Sequence, residues 1–280
     1  MTVSTYLKRI SDGAIIRDNE KESIQKSIST IQDRLYSYFG SAIKAKFIFG
    51  SYTRGTILPR SMDDQSDIDY MVLFENDGVK PQSYLDRLKK FAEKRYSTSE
   101  IKQSHPTIKL NLNHITFELV PAQNDWFSGY KIPSKKYGID DWIDTNPNDF
   151  NQALTEKNKE YGYVIKPLIR LVKYWNARNG YIFKSFSLEK WIVEQSFSGA
   201  TILHTPDLKE CLFQCFERID TGKLSEANKN KVNRAKTIVA EVRKLEKDGH
   251  PVPAEEKIKK LIPDTDEDTK GLAAILLGMR

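Results

Sequence analysis

Three acidic side chains in strand-like segments are the residues of this 280-residue chain best placed to do chemistry. Asp67 and Asp69 stand two apart at the start of DIDYMVLF, so a strand there would turn both carboxylates toward one face of its sheet. Two like charges on one face repel each other unless a cation or a strong donor lies between them. A lone pair with this spacing is more often a solvated junction between a loop and a strand, and the preceding DDQS favours that alternative.

A third acid, Glu118, favours a metal site over a solvated junction. It lies in the β-forming run ITFELV, where alternation places it on one face with Thr116 and Val120. If this strand lies beside residues 67–74, three hard oxygen donors converge. Such donors suit Mg²⁺, with Mn²⁺ as the alternative ion, and two ions can hold both the attacking and the leaving oxygen of a phosphoryl transfer. The predicted catalytic metal ligands are Asp67, Asp69 and Glu118.

The stretch FIFGSYTRGT precedes these acids and suggests a phosphate-binding turn. Its apolar run ends at Gly50 and Ser51, as in many ordinary turns that follow a strand. Followed by a metal site, the same pair predicts the start of a helix whose free amide groups face phosphate oxygens. We expect Arg54 to add a phosphate contact and Thr56 to be structural.

Periodicity predicts the elements that must position these residues. Apolar side chains recur at spacings of three and four over 19–39, which indicates a helix that Asp18 or Asn19 caps and Gly40 ends. The runs TIKLNL and ITFELV flank the dipeptide NH and predict a β-hairpin. Further helices are predicted over 81–96, 163–179, 186–197, 206–219 and 225–248. Strand signals fade after about residue 146, so we predict an α+β protein with a catalytic lobe at 1–145, a helical lobe at 146–280 and the active site in the cleft between them.

Composition and charge narrow the class of protein. The chain is 39% hydrophobic and 29% charged, and its net charge of +6 suits anionic ligands without identifying one. It has no apolar run of the roughly 20 residues that a membrane helix needs, and its N-terminus lacks a signal-peptide pattern. We therefore expect a cytoplasmic protein with no membrane partner.

Two further segments carry simple structural expectations. Cys211 and Cys215 stand four apart in a helical pattern, which predicts two buried thiols on one helix face. The apolar C-terminal segment GLAAILLGMR is expected to dock on the body of the protein.

The order of the motifs resembles the nucleotidyltransferase superfamily that includes DNA polymerase β. It runs FGSYTRGT, then SDIDYMVLF, then ITFELVPA. The LVPA segment, with LIRLVKYWNARNG and KSFSLEKWI in the helical half, looks like one branch of that superfamily. This branch contains 2′-5′ oligoadenylate synthetases, cyclic GMP–AMP synthase and the bacterial CD-NTases of anti-phage signalling systems. The resemblance covers discrete motifs between about residues 40 and 200.

The resemblance implies a polymerase β-like lobe with a mixed or antiparallel sheet, and it assigns roles to matching residues. Asp67 and Asp69 match the metal-binding aspartates, and Glu118 matches a third carboxylate that is Asp in many relatives. Gly50 and Ser51 match a pair that binds the β- and γ-phosphates of a nucleotide. The matching positions in the helical half are Lys173 and Ser185, which contact phosphate in the family, and Phe186, which falls where some relatives stack an aromatic ring on a base.

A basic stripe in the helical half supports this assignment. Lys166, Arg170 and Lys173 are spaced four and three apart, opposite an apolar face. Taken alone, the pattern is typical of a solvated amphipathic helix. Across a cleft from three carboxylates, the stripe could clamp a triphosphate.

The resemblance implies Mg²⁺-dependent condensation of nucleoside triphosphates, ATP among them, into a cyclic di- or trinucleotide second messenger, with release of pyrophosphate. It also implies a role in anti-phage (CBASS) defence and a regulatory partner from the same operon. No zinc-ribbon pattern is present, so we expect no DNA activator. Three alternatives stay open: a template-independent RNA-tailing enzyme or linear oligoadenylate synthetase, an antibiotic nucleotidyltransferase, and a catalytically silent nucleotide- or RNA-binding module.

Overall fold

The computed structural model of the protein describes residues 1–104, 106–125, 129–134, 141–197 and 207–265, and it confirms the predicted α+β class. The helices are α1 (Val3–Gly13), α2 (Asp18–Phe39), α3 (Gly50–Arg54), α4 (Pro81–Arg95), α5 (Pro147–Glu160), α6 (Ile165–Arg178), α7 (Ser185–Glu194), α8 (Leu208–Arg218), α9 (Glu226–Lys247) and α10 (Pro251–Ile258). The strands are β1 (Ile43–Phe49), β2 (Asp67–Phe74), β3 (Glu100–Ser104), β4 (Thr107–Asn111), β5 (Thr116–Asp125), β6 (Gly129–Pro133) and β7 (Trp142–Thr145). The C-terminal segment GLAAILLGMR lies outside the described residues.

The strands form a mixed sheet, one of the two arrangements that the family resemblance implied, in the order β1-β2-β5-β4-β3, and β6 links β5 to β7. Only the β2–β5 pair is parallel among the described strands; the other pairs are antiparallel. The predicted hairpin is confirmed, because β4 pairs with β5 and the Leu112 N–H donates to the Ile115 carbonyl at 2.9 Å. The loop between them is the dipeptide Asn113–His114, which fixes the register of the hairpin.

The chain divides into two compact units. The sheet unit comprises 16–60 and 65–152, and the helical unit comprises 1–15, 61–64 and the residues from 153 onward. The sequence-based division placed residues 1–145 in one lobe, and within that range α1 packs against α6, α8 and α10 of the helical unit. Its apolar residues Val3, Tyr6, Leu7 and Ile10 are buried, and the Tyr6 hydroxyl donates to the Ile262 carbonyl at 2.7 Å. This apolar face is what ties the N-terminus to the helical unit.

The core of the sheet unit lies between α2, α4 and one face of the sheet. The predicted apolar face of α2 is confirmed by the complete or near-complete burial of Ile24, Ile28, Ile31 and Leu35. Gly40 ends this helix with φ of 53°, as predicted. The predicted N-cap is wrong: Arg17 occupies the cap, since Asp18 already lies in the first turn, where its carboxylate pairs with Lys21 at 3.3 Å.

Helix α8 carries the two thiols, and both are fully buried, as predicted. Burial raises the pKa of Cys211 to about 12 and raises that of Cys215 further. We expect iodoacetamide at pH 8 to alkylate neither thiol in the folded protein and both in urea, because only the thiolate reacts. Intact-mass spectrometry measures this, and rapid modification of the native protein would contradict the expected burial.

No helix among the described residues has the length and apolarity needed to cross a membrane.

Candidate active site

The parallel β2–β5 pair brings the three predicted carboxylates together. Asp69 is in register with Glu118, and Asp67 is in register with Thr116. Along β2, the half-buried aspartates alternate with the fully buried Ile68 and with Tyr70, and Glu118 likewise alternates with buried neighbours on β5. Because side chains alternate across a sheet, the carboxylates share the face opposite the α2–α4 core. The predicted condition that the two strands lie side by side is therefore confirmed.

The carboxylates interact strongly. Burial, followed by the negative charges of Asp69 and Glu118, raises the pKa of Asp67 from its ordinary 3.8 to about 8. A hydrogen bond between the side chains of Asp67 and Glu118 acts in the same direction. Asp67 therefore takes up a proton more readily than an ordinary aspartate does.

Lys109 is a member of this cluster that sequence reasoning missed. It lies opposite Glu118 in the β4–β5 register, and its Nζ is 2.6 Å from Glu118 Oε1. Partial burial acts to lower the pKa of Lys109, but the hydrogen bond and charge of Glu118 outweigh it and raise that pKa. The signal was present in the hairpin: once the loop is Asn113–His114, counting back along both strands pairs Lys109 with Glu118.

Gly50 joins this cluster through its backbone. It follows Phe49, which pairs with Asp69 across the β1–β2 ladder. Its φ is +74°, and a Cβ added to it would lie 1.8 Å from Asp69 Oδ2. A glycine is therefore required both by the left-handed backbone and by the approach of the carboxylate.

Ser51 and Thr56 close the turn that begins at Gly50. The Ser51 carbonyl accepts hydrogen bonds from the N–H groups of Thr56 and Ile57 at 3.0 and 3.1 Å. Thr56 is fully buried, in keeping with a structural role. Arg54 is also buried, and its guanidinium lies 5.2 Å from the centre of the Phe150 ring. Its phosphate contact stays a prediction.

The predicted residues of the helical unit have different environments. Lys173 Nζ donates to Glu189 Oε1 at 3.0 Å, and both side chains are buried. The solvated-stripe alternative is wrong for Arg170 and Lys173, which are 7% and 6% exposed, because α6 packs against α1, α7 and α8. Ser185 begins α7, and the neighbouring Phe186 is 53% exposed. Their nucleotide contacts stay predictions.

The carboxylates fit a divalent cation by their chemistry. They are hard oxygen donors, and the negative charges of Asp69 and Glu118 add to burial in raising the pKa of Asp67. Within the described part of the chain, no group of three His, Cys, Asp or Glu side chains has the arrangement of a preformed metal site. Glu118 is instead directed to Lys109 and to Asp67.

The raised pKa of Asp67 predicts how stability depends on pH. Between pH 3.8 and about 8 the folded state binds a proton that the unfolded chain has released, so stability falls as pH rises through this window. In EDTA at pH 8 we expect Asp67→Asn to raise the free energy of unfolding by several kcal/mol, with the gain shrinking toward pH 4. Urea unfolding at several pH values measures this. The exposed Asp33→Asn is the control, and a pH-independent gain for Asp67→Asn would contradict the assignment.

Comparison with known proteins extends these observations. Residues 1–158 match the family described as the Second Messenger Oligonucleotide or Dinucleotide Synthetase domain (SMODS). A cyclic AMP-AMP-AMP synthase from an Acinetobacter strain is 28% identical over 160 residues, which cover 54% of this chain and 45% of that protein. A probable cyclic nucleotide synthase from Bacillus cereus is 27% identical over 184 residues, covering 52% and 54% of the two chains. The matches span about half the length of these relatives.

Solved structures share the fold. The CdnC protein of E. coli MS115-1, determined with ATP, aligns with a TM-score of 0.67 at 14% identity and covers 94% of this chain and 98% of its own. The Vibrio cholerae DncV cyclic AMP-GMP synthase aligns with a TM-score of 0.71 at 12% identity, covering 91% and 93%. At such identities the likeness establishes the fold alone. Since the SMODS match covers more than half of its residues, the chain belongs to that family, and the resemblance to bacterial CD-NTases is confirmed.

Proposed function

We propose that this protein is a divalent-metal-dependent nucleotidyltransferase that condenses nucleoside triphosphates, ATP among them, into a cyclic di- or trinucleotide. The observation that carries the proposal is the in-register pairing of Asp69 with Glu118 directly beside the Gly50 turn. That arrangement sets three carboxylates, which can bind a divalent cation, beside the start of a helix, whose free N–H groups can bind phosphate. Family membership and the printed names of the two curated relatives support the same class of reaction.

The proposed reaction is a phosphoryl transfer. A ribose hydroxyl oxygen forms a bond to the α-phosphorus of a second nucleotide, the bond to pyrophosphate breaks, and the hydroxyl proton is released. Asp67, Asp69 and Glu118 would hold the metal, which when bound neutralises phosphate charge and lowers the pKa of the attacking hydroxyl. The N–H groups at the start of α3 and the Ser51 hydroxyl would hold the triphosphate. Rate acceleration then comes mainly from positioning and charge neutralisation.

Lys109 has a positioning role in this proposal. Its 2.6 Å contact with Glu118 holds the third carboxylate on the face shared with Asp69. A Glu is one methylene longer than the Asp found in many relatives, so its carboxylate has more freedom, and a fixed cation on the next strand restricts it. Lys109 therefore orients Glu118 without contacting the reacting atoms.

We further propose that helical-unit residues complete nucleotide binding. Lys173 and Ser185 would contact phosphate, and the exposed Phe186 ring would stack on a base. The E. coli CdnC protein has been solved in complex with a HORMA protein, which supports the proposal of a protein partner here. The product would act as a second messenger in anti-phage defence, in the cytoplasm where nucleoside triphosphates are made.

Product analysis tests the reaction. The full chain is incubated with all four nucleoside triphosphates, Mg²⁺ and Mn²⁺, treated with phosphatase and examined by mass spectrometry. We expect phosphatase-resistant products with the masses of cyclic di- or trinucleotides. Phosphatase-sensitive ladders would indicate a linear synthetase, extended RNA primers would indicate a tailing enzyme, and AMP-modified aminoglycosides an antibiotic nucleotidyltransferase. Nucleotide binding without pyrophosphate release would favour a silent binding module.

A further inference from the structure

A basic pocket lies within the helical unit, between the end of α6, the first half of α9 and the segment that follows α10. Its volume is about 160 Å³. Arg178, Lys231, Arg234 and Lys260 surround it, all with exposed side chains, and we call these four the rim cations. No Asp or Glu is among its described lining residues.

The rim cations differ from two other basic residues, Arg243 of α9 and Lys257 of α10. Arg243 pairs with two carboxylates, at 2.7 Å from Glu210 and 2.8 Å from Glu217, and Lys257 pairs with Glu241 at 2.6 Å. By contrast, none of the rim cations pairs with a carboxylate of a described residue. Lys231 donates instead to the backbone carbonyl of Asn179 at 2.7 Å, which fixes its ammonium at the pocket.

The helix dipoles stabilise only two of the four rim cations. Arg178 lies in the last turn of α6 and Lys260 just beyond α10, where a helix C-terminus stabilises a cation. Lys231 and Arg234 lie in the N-terminal half of α9, where the dipole offers no such stabilisation. Four like charges around one small pocket repel each other, so an anion that binds there gains their combined attraction.

The pocket is separate from the predicted nucleotide contacts of α6. At about 100° per residue, Arg178 lies roughly 140° around the helix from Lys173, whose ammonium pairs with Glu189 of α7. The floor of the pocket includes Trp175, which is 2% exposed and packs edge-on against Phe216. Because so little of this ring is exposed, the floor offers almost no aromatic surface on which a base could stack.

We propose that this pocket binds an oligophosphate group, two or more linked phosphates carried by a small ligand. Arginine guanidinium groups match phosphate oxygens in pairs, and Lys231 and Lys260 add point charges. The pocket is smaller than the roughly 300–1,000 Å³ of sites that enclose a drug-sized ligand, so it takes the phosphates and leaves the rest of the ligand outside. This inference does not depend on the proposed reaction.

Calorimetric titration of the full chain with tripolyphosphate in EDTA tests the site without metal-dependent binding. We expect Lys231→Gln/Arg234→Gln to weaken tripolyphosphate binding at least about tenfold, because each lost charge-assisted contact removes a substantial part of the binding free energy. The matched control Lys244→Gln/Lys247→Gln removes two exposed charges from the same helix outside the pocket, and we expect a change below about twofold. We also expect the ligand to change the fluorescence of the parent, and Trp175→Phe to remove that change while binding persists.

Four results would overturn the proposal. The first two are that tripolyphosphate does not bind to the parent, or that the two double variants weaken its binding equally. The third is that binding of an RNA oligonucleotide requires the rim cations while binding of tripolyphosphate does not. The fourth is that Asp266→Asn/Glu267→Gln/Asp268→Asn binds tripolyphosphate more than about tenfold more tightly than the parent. The third result would assign the pocket to nucleic acid. The last would assign it to the chain's own acidic segment, which follows Thr265 in the sequence and lies outside the described residues.

Discussion

Replacing Asp67 and Asp69 together with asparagine is expected to reduce pyrophosphate release from nucleoside triphosphates at least about 1,000-fold. The two carboxylates share one face of β2 with Glu118 opposite Asp69, and asparagine keeps their shape while removing the charge that would hold the metal. A coupled pyrophosphate assay with Mg²⁺ measures the loss. The variant should stay folded, because an uncharged amide at position 67 avoids both the burial cost and the repulsion that raise the pKa of the carboxyl group there.

Glu75→Gln is the matched control for the aspartate pair. Glu75 directly follows β2 at its other end, is 52% exposed at its side chain and pairs with Lys44 at 3.0 Å. An exposed ion pair of this kind contributes about 0–1 kcal/mol, so we expect near-parental activity and stability. A double aspartate variant that released pyrophosphate within about tenfold of the parent rate would remove these residues from the catalytic site.

Gly50→Ala is expected to lower the same activity at least about 100-fold, because displacements of about 1 Å at a reacting centre have effects of this size. A methyl group at this position would lie 1.8 Å from Asp69 Oδ2, so the carboxylate or the turn must move. The positive φ adds a backbone cost of roughly 1–2 kcal/mol. Steady-state kinetics and urea unfolding, measured on the same protein preparation, record the two effects.

Gly55→Ala separates the contact from the backbone strain. Gly55 ends the same short helix with φ of +69°, and an added Cβ would meet nothing within 4 Å. We expect it to lose a similar 1–2 kcal/mol of stability while its rate stays close to that of the parent. If both alanine variants lost activity equally, the approach of Gly50 to Asp69 would have no catalytic importance.

Local rules were sufficient for much of the fold and for the candidate metal ligands. The apolar residues of α2, the two-residue hairpin and the paired thiols of α8 follow from spacing along a single segment, and each is confirmed. The same holds for β2, whose alternation already placed Asp67 and Asp69 on one face. Such features depend on helical and strand periods, which neighbouring residues alone determine.

Other features required contacts between distant segments. The burial of Lys173 with Glu189 follows from the packing of α6 against three helices. The helical period of the sequence does not show how many other helices surround α6. The packing of α1 against α10 joins opposite ends of the described chain. Lys109 is an intermediate case, because the hairpin register pairs it with Glu118 but does not show what else surrounds the pair.

The sequence by itself determined which residues could form the site: two aspartates on one strand, a glutamate on another, and a glycine turn ahead of them. Tertiary structure decided that β5 lies parallel to β2, so that Glu118 meets Asp69, and that Gly50 approaches the same carboxylate. The physical reason is that a parallel pair needs a long crossover connection, and its register depends on how helix and sheet pack rather than on a local turn. The raised pKa of Asp67 depends in part on that pairing, since it arises from burial, from Asp69 on the same strand and from Glu118 on β5.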